Sequence, residues 1–230
     1  MKWIVEFLTS SIGRKLIMAL TGLFLILFLV VHLLGNLQLL AGDGGVAFNE
    51  YSTFMGHNPL IQTVSIGNFF FIILHTIQGI LIALTNRKAK GGKYAVASKS
   101  NVSWASKNMA LLGTLILAFL LMHLGHFWYK FKFCGEGCLK MVTMEDGTSM
   151  IDAYTSVVTV MTNPIWMVAY LVGIIVLAFH LLHGFSSAFQ TLGLRHKKYT
   201  PIINGIGKLY AILIPLGYAI IPLYLYFTQS

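Results

Sequence analysis

Four histidines lie inside long apolar runs of this sequence, one in each of four consecutive runs: His32, His75, His123 and His180. Burying an ionisable side chain at such a depth in hydrocarbon costs free energy, so its presence there indicates a functional role. A lone histidine of this kind more often makes a hydrogen bond between helices. Four of them in succession favour a shared chemical role, and neutral imidazole is the commonest metal ligand among side chains.

The depths of these histidines separate them into two levels. Counted from the outer end of each run at about 1.5 Å per residue, His32 and His123 lie roughly 10 to 15 Å deep, and His75 and His180 roughly 24 Å deep. A haem with two histidine ligands needs one neutral imidazole on each side of the iron, from different helices at the same height. Height therefore pairs His32 with His123 and His75 with His180, and predicts two haems.

An internal repeat supports this pairing. Glycines recur at fixed distances from the four histidines, so the first two runs resemble the third and fourth. A glycine one turn from a ligand leaves room for a porphyrin edge, although glycines also allow close packing of helices in membranes. The repeat matches Gly22-x9-His32 with Gly113-x9-His123, and His75-x3-Gly79 with His180-x3-Gly184.

The other four histidines receive secondary roles. His126 and His183 follow His123 and His180 by three residues and share their helix faces, so either could in principle replace its neighbour as a ligand. Both fit the height matching less well, and we expect them to hydrogen-bond haem propionates or water. His57 and His196 fall in predicted loops and should be solvated.

The elements that carry these histidines are transmembrane helices. Hydrophobic residues make up 57% of the 230 residues and charged residues only 10%, well outside the usual composition of a soluble domain. In hydrocarbon the backbone must pair within each segment, which makes every long apolar run a helix. The sequence thus predicts an all-α, five-helix membrane bundle that forms a single domain over 1–230. The predicted spans are about 16–40, 60–84, 109–127, 165–185 and 209–227.

The first span lacks the features of a cleaved signal peptide. It is too long for an h-region and has no A-x-A type cleavage site. We therefore expect it to remain as part of the bundle.

Charge sets the expected orientation. Thirteen of the sixteen basic residues fall on the side of the N-terminus, and six of the seven acidic residues fall on the other side. By the positive-inside rule the N-terminus is cytoplasmic and the C-terminus external. The net charge of +9 then belongs to membrane topology, and no nucleic-acid partner is expected. The basic set is Lys2, Arg14, Lys15, Arg87, Lys88, Lys90, Lys93, Lys99, Lys107, Arg195, Lys197, Lys198 and Lys208; the acidic set is Asp43, Glu50, Glu136, Glu145, Asp146 and Asp152.

The external stretch 130–164 is the long connection, with room for a short surface helix. It contains Cys134 and Cys138. A disulfide and a pair of free thiols both remain open for them, whereas a metal site lacks further ligands.

Several segments together resemble a known family. TGLFLILFLVVHLLGN, GVAFNEYSTFM, LHTIQG, LMHLGHFW and FHLLHGF, in this order, resemble the cytochrome b subunit of succinate dehydrogenase and fumarate reductase, in its di-haem, five-helix b558 type. The resemblance covers nearly the whole chain and rests on the layout of the four histidines together with the AFN stretch. It implies that His32 and His123 bind a distal haem b, and that His75 and His180 bind a proximal one.

The resemblance also implies partners and a location. A flavoprotein subunit with FAD and an iron–sulfur subunit would dock on the cytoplasmic face of a bacterial inner membrane, and membrane quinone, typically menaquinone in this type, would exchange electrons with the chain. The chain itself has no G-x-G-x-x-G motif in a strand–helix context and only two cysteines, so flavin and iron–sulfur clusters belong to the partners. It is not expected to act on succinate alone.

The quinone site is less determined by sequence. Quinone reduction takes up protons, and Glu50, near the outer end beside His32, is the candidate catalytic proton donor. Asn36 and Gln38 could equally hydrogen-bond a quinone carbonyl. At the cytoplasmic end, Ser11, Arg14 and Lys15 could contact propionates or the iron–sulfur subunit.

Two other functions remain open at this point. The chain could be the cytochrome b subunit of another quinone-linked dehydrogenase, such as a hydrogenase or formate dehydrogenase, which would differ in its partners and not in its histidines. A haem-free transporter with proton-carrying or metal-carrying histidines is disfavoured, because no Asp or Glu lies within any predicted span.

Overall fold

The computed structural model describes residues 2–89, 103–134, 137–144 and 147–229. The predicted all-α fold is confirmed, since nearly all of these residues are helical. The helices are α1 (Lys2–Thr9), α2 (Ser11–Asn36), α3 (Val46–His57), α4 (Pro59–Ala89), α5 (Trp104–Lys107), α6 (Met109–His123), α7 (Ala153–Met161), α8 (Pro164–Thr191) and α9 (Thr200–Gln229). Of the charged residues named above, Lys90, Lys93, Lys99, Glu136, Glu145 and Asp146 lie outside the described residues.

Three short helical turns and two strands complete the described elements. A 3-10 turn, Leu37–Leu40, follows α2, and α6 continues into the π-helical turns Leu124–Trp128 and Lys130–Cys134. The strands β1 (Met141–Thr143) and β2 (Ser149–Ile151) pair antiparallel. Strands of three residues are too short to leave a periodic pattern in the sequence, so this pair was not predicted.

Five segments are long and apolar enough to cross a membrane, and each predicted span lies within one of them. The helices extend further than predicted because the prediction followed apolar residues only, whereas helical hydrogen bonds continue into the polar interface. The chain is therefore a multi-pass membrane protein. The five segments are Ser11–Leu40, Pro59–Lys88, Met109–Cys134, Pro164–Thr191 and Thr200–Gln229.

Side-chain exposure on α8 shows how these helices face lipid. Large apolar residues recur at intervals of three and four along one side of α8, and each of them is exposed in the isolated chain. The other side buries Tyr170, Ile174 and Leu181. A soluble protein would not leave such a stripe uncovered, whereas in a bilayer it contacts the acyl chains. The stripe consists of Ile165, Val168, Val172, Ile175, Phe179 and Leu182.

Side-chain caps fix where helices begin. The Asn163 side chain accepts hydrogen bonds from the backbone N–H groups of Ile165 and Trp166, and Pro164 occupies the first position of α8. Proline suits this position because its missing N–H would have had no partner within the helix. Pro59 likewise begins α4.

Helix α2 contacts α4, α8 and α9. Two tyrosines of α9 form hydrogen bonds with the backbone of α2. Tyr210 donates to the Ile26 carbonyl at 2.5 Å, and Tyr218 donates to the Leu29 carbonyl at 2.7 Å. Buried hydroxyl groups in hydrocarbon need such acceptors, so these bonds fix the position of α2 against α9.

The two ends of the bundle differ in charge. We call the end where α2, α6 and α9 begin the basic end, because Arg14, Lys15, Arg87, Lys88 and Arg195 lie there. The opposite end carries α3, α7 and the strand pair, with Asp43, Glu50 and Asp152 beside Lys130, Lys132 and Lys140; we call it the acidic end because three of the four described acidic residues lie there.

The acidic end is closed by contacts between α3, β2 and α7. Asn49 is buried, with 3% of its surface exposed. Its Oδ1 accepts from the Tyr154 backbone N–H at 2.8 Å, and its Nδ2 donates to Asp152 Oδ1 at 3.3 Å. Asp152 also caps α7 by accepting from the Thr155 backbone N–H at 2.9 Å. One amide of the AFN stretch therefore joins α3 to the short surface helix that the sequence allowed for.

Two further features shape this end. Cys134 and Cys138 form a disulfide, which answers the question that the sequence left open. The backbone N–H groups of Ala47 and Gly45 donate to the Asp43 carboxylate at 2.8 and 2.9 Å. These bonds lower the pKa of Asp43, which lies at the start of α3.

Replacing Asn49 should loosen this end without affecting the spans. Asn49→Ala removes both amide bonds and leaves the Tyr154 N–H without its acceptor, at a cost of about 1–3 kcal/mol. We expect a lower thermal midpoint in detergent and faster proteolysis between α3 and α7. Glu50→Ala, at an exposed position on the same helix, is the matched control. Equal stability of the two variants would contradict this account.

Candidate functional site

His32 and His123 meet near the acidic end, from α2 and α6. Their ring centroids are 5.8 Å apart, with an angle of 84° between the ring planes. Phe28 stacks on His32 at 5.2 Å, and Phe119 stacks on His123 at 5.9 Å. The two imidazoles thus meet edge to face, and each stacks on a phenylalanine of its own helix.

His75 and His180 form the second pair, from α4 and α8. Their ring centroids are 6.3 Å apart, and the ring planes make an angle of 65°. These two contacts join the same histidines that the depth argument pairs. The role of the four as haem ligands stays a prediction.

Helix α2 provides a scale for the separation of the two pairs. Thr21 Oγ1 lies 3.0 Å from His75 Nδ1, so Thr21 marks the level of the second pair. His32 follows Thr21 by eleven residues, which corresponds to roughly 16 Å along the helix. The two pairs therefore occupy distinct depths within the bundle.

The Thr21 contact favours a proton on Nδ1 of His75. The Thr21 hydroxyl donates to the Ile17 carbonyl at 2.7 Å, so its oxygen is left as the acceptor for Nδ1–H of His75. The Nε2 lone pair of His75 is then free to bind a metal. A hydrogen bond of this kind orients a ligating imidazole and raises its basicity.

His32 has a different neighbour. Asn36 Nδ2 donates to the His32 carbonyl at 2.7 Å and lies 3.3 Å from His32 Nδ1. An amide nitrogen only donates, so this contact favours a proton on Nε2 of His32. Ligation through Nε2 requires the Asn36 amide to turn its oxygen toward Nδ1. The structure thus engages Asn36 with His32, and Gln38 lies in the turn that follows α2.

The second histidine of each pair has a ring nitrogen without a hydrogen bond to the described residues. Nδ1 of His123 and Nδ1 of His180 are buried and have no hydrogen-bond partner among the described residues. The ring contacts of His123 include one with Tyr170 at 6.0 Å. Leaving such an atom unpaired costs about 1–3 kcal/mol, and within the described residues neither Nδ1 makes the hydrogen bond between helices that a buried histidine ordinarily makes.

The glycines of the repeat leave space beside the second pair. A Cβ added to Gly184 would meet only His180 Cδ2, at 4.0 Å, and one added to Gly113 would meet nothing within 4 Å. At Gly79 it would meet only the flexible end of Met18, at 3.4 Å. At Gly22, which the sequence repeat aligned with His32, an added Cβ would instead lie 3.3 Å from Cε1 of the His75 ring.

This donor set fits a haem. Within the described residues no three His, Cys, Asp or Glu side chains come together as a metal site, so each pair offers two ligands and no more. A porphyrin supplies the other four nitrogens of a six-coordinate iron. Metal–imidazole bonds of about 2 Å on both sides place the two ring centres roughly 6 Å apart, in line with both pairs.

The other histidines lie apart from the two pairs. His126 Nδ1 is 3.2 Å from the Tyr170 hydroxyl, and its ring meets Trp166 edge-on at 4.6 Å. His183 lines a cavity at the basic end. His57 is the last residue of α3 and not part of a loop as predicted, whereas His196 lies in the connection between α8 and α9.

Glu50 is exposed on α3, and the structure does not bring it into contact with either pair. Its neighbour Tyr51 approaches α2 at Gly35, where an added Cβ would lie 2.6 Å from Tyr51 Cζ. Burial raises the pKa of Tyr51. Glu50 thus lies at the acidic end beside the helix that carries His32, and its proton role stays a prediction.

Sequence reasoning missed Thr21, Tyr170 and Tyr218 as parts of the site. Tyr218 lies 5.9 Å from the His32 ring, centroid to centroid. Each of the three carries a polar group within an apolar run, which is the signal that could have found them.

Comparisons of the chain with protein-family models, with curated proteins and with solved structures give no match. The chemistry of the site therefore rests on its own residues.

Thr21→Val offers a test of the site through one pair alone. The change keeps the shape but removes the acceptor for His75 Nδ1–H, so His75 becomes a weaker electron donor to a bound iron. We expect the midpoint potential of one haem component to rise by roughly 60 mV, a tenfold change in a one-electron equilibrium. A spectroscopic redox titration measures it.

Thr114→Val is the matched control, because the Thr114 hydroxyl donates only to the Ala110 carbonyl of its own helix. A shift in both components, or in neither, would show that Thr21 does not act through His75.

Proposed function

We propose that the chain is the di-haem cytochrome b subunit that anchors a succinate:quinone oxidoreductase in the membrane and passes electrons between its iron–sulfur subunit and a membrane quinone. The observation that carries this proposal is the presence of two facing histidine pairs at two depths, with ring centroids 5.8 and 6.3 Å apart. A bound haem b supplies one-electron transfer at each level. The family resemblance of the histidine segments supports the choice of enzyme.

Each histidine has a defined task in this proposal. His75 and His180 hold the proximal haem, and His32 and His123 hold the distal one. Thr21 keeps His75 in the tautomer that leaves Nε2 free. The apolar side chains around both pairs exclude water, which lets neutral imidazoles persist at these depths.

We infer that the basic end faces the cytoplasm of a bacterial cell, so the N-terminus is cytoplasmic and the C-terminus external. The positive-inside rule supports this orientation, because the described cations at helix ends cluster at the basic end. The disulfide between Cys134 and Cys138 at the acidic end supports it independently, since disulfides persist in oxidising compartments.

The partners follow from what the chain lacks. Both of its cysteines are joined in the disulfide, so none is left to ligate an iron–sulfur cluster. In this proposal an iron–sulfur subunit and an FAD-bearing flavoprotein dock at the basic end, nearer to the proximal pair. Quinone, by resemblance menaquinone, exchanges electrons and protons near the acidic end, where Glu50 is the proposed proton donor.

The haem count tests the proposal directly. We expect two haems b per chain in the intact purified protein, by pyridine haemochrome assay and reduced-minus-oxidised spectra. His75→Ala or His180→Ala should remove one spectral component, and His32→Ala or His123→Ala the other, because each pair shares one iron. His57→Ala, at an exposed position, should remove neither.

Loss of the same component from His32→Ala and His75→Ala would overturn the pairing, and a protein with one haem or none would overturn the proposal. Co-purification with a hydrogenase or formate dehydrogenase subunit would instead assign the two haems to that enzyme.

Glu50→Gln tests the proton role. The change keeps the size of the side chain and removes its acid–base group, so quinone-linked turnover should fall at least about 100-fold. Dye-linked succinate oxidation bypasses this subunit and should persist, with both haems retained. Glu50→Asp keeps a carboxylate and should preserve much of the turnover. Wild-type quinone-linked turnover in Glu50→Gln would make Glu50 an ordinary surface carboxylate.

A further inference from the structure

A polar cleft opens at the basic end, where α5, α8 and the start of α9 meet. Its cavity of about 450 Å³ falls in the size range of small-ligand pockets. A second cavity of about 500 Å³ shares Arg195, Thr200 and Asn204 with the first. The two cavities form one groove around the α8–α9 connection, which we call the basic cleft.

The lining of the basic cleft is matched to an anion. Hydroxyl, amide and cationic groups dominate it, and no carboxylate lines either cavity. Among the described residues no carboxylate pairs with Arg195. An unpaired guanidinium surrounded by neutral donors is a good partner for phosphate oxygens, which it can bind through two parallel hydrogen bonds. The polar lining includes Ser103, Ser106, Ser186, Gln190, Asn204 and Arg195.

The depth of the basic cleft in the membrane indicates that the phosphate belongs to a lipid headgroup. Helix α8 ends at Thr191 and α9 begins at Thr200, so the groove lies at the level of lipid headgroups. Its wall also contains apolar side chains, and Leu194, Ile202 and Ile206 beside it are each more than half exposed. A ligand with an anionic head and apolar chains would satisfy both surfaces, as lipids do in basic pockets between membrane helices.

We propose that the basic cleft binds the phosphate group of an acidic phospholipid, one molecule per chain, with its acyl chains against the exposed apolar side of α9. Arg195 pairs with the phosphate, and the serine and amide groups of α5, α8 and α9 complete its hydrogen bonds. The site uses none of the four paired histidines. His183, the expected partner of a haem propionate, also lines the cleft, so a propionate is the competing occupant.

Native mass spectrometry of the full-length, delipidated protein in detergent tests this site. Phosphatidylglycerol is titrated as the acidic lipid, phosphatidylcholine as the zwitterionic lipid, and inorganic phosphate as the soluble competitor. We expect one phosphatidylglycerol to bind per chain, ahead of phosphatidylcholine. Arg195→Gln should weaken that binding about 10-fold or more, because it removes the charge-assisted bonds.

Two other variants make the outcome specific. Arg87→Gln removes an exposed cation at the same end, on α4 and outside the basic cleft, and should leave the lipid affinity unchanged. Ser186→Phe fills the cavity without altering charge and should weaken binding as Arg195→Gln does. Circular dichroism and gel filtration verify the fold of each variant, and Arg195→Lys, expected to bind with intermediate affinity, replaces Arg195→Gln if that variant misfolds.

Several results would overturn the proposal. Equal weakening in Arg195→Gln and Arg87→Gln would mean general surface attraction. Unchanged binding in Arg195→Gln and Ser186→Phe would exclude the basic cleft. Inorganic phosphate that displaces the lipid at equal concentration would identify a site for free phosphate. Loss of haem from Arg195→Gln with lipid affinity intact would identify a haem carboxylate as the occupant, a result that leaves the proposed function standing.

Discussion

Hydrocarbon offers no hydrogen bonds, and this constraint organises the whole bundle. Every backbone group inside a span must be paired within its helix, which dictates the all-α fold, and every buried polar side chain needs an acceptor or donor from a neighbouring helix. Tyr210 and Tyr218 meet this demand with backbone carbonyls of α2. The four buried side-chain atoms without a partner among the described residues lie on the helices of three of the paired histidines: Asn68 Oδ1, Gln78 Oε1, His123 Nδ1 and His180 Nδ1.

One helix connects both levels of the site. Helix α2 contributes His32 to the pair near the acidic end and, through Thr21, the acceptor that orients His75 at the deeper level. The same helix receives the two tyrosine bonds from α9. A shift of α2 along its axis would therefore disturb both pairs together, and the contacts of α9 oppose such a shift. Helix α9 carries no histidine, and its role is to hold the helix that serves both pairs.

The two ends of the bundle are built for different surroundings. At the acidic end, the buried Asn49 amide joins α3 to α7, and the disulfide links Cys134, at the end of the turns after α6, to Cys138. At the basic end, exposed cations surround an open cleft. In the proposed function this asymmetry suits a subunit that docks a soluble partner at one end and closes the other over a quinone. The proposed lipid site uses the same asymmetry, because its phosphate pairs with Arg195 at the basic end.

The sequence by itself determined the number of spans, the all-α class and the division of the histidines into two depths, because apolar length and helical rise act along the chain and need no knowledge of neighbours. The predicted starts of the second and fourth spans, at 60 and 165, lie one residue after the helix starts at Pro59 and Pro164. The sequence could not show that Thr21 orients His75, that Asn36 engages His32, that Gly22 lies against His75 rather than beside His32, or that Asn49 joins α3 to α7. These contacts join residues far apart in sequence or depend on helix rotation, and only side-chain packing between helices fixes that rotation. The basic cleft belongs to the same class, since three separate helices must meet before its donors share one cavity.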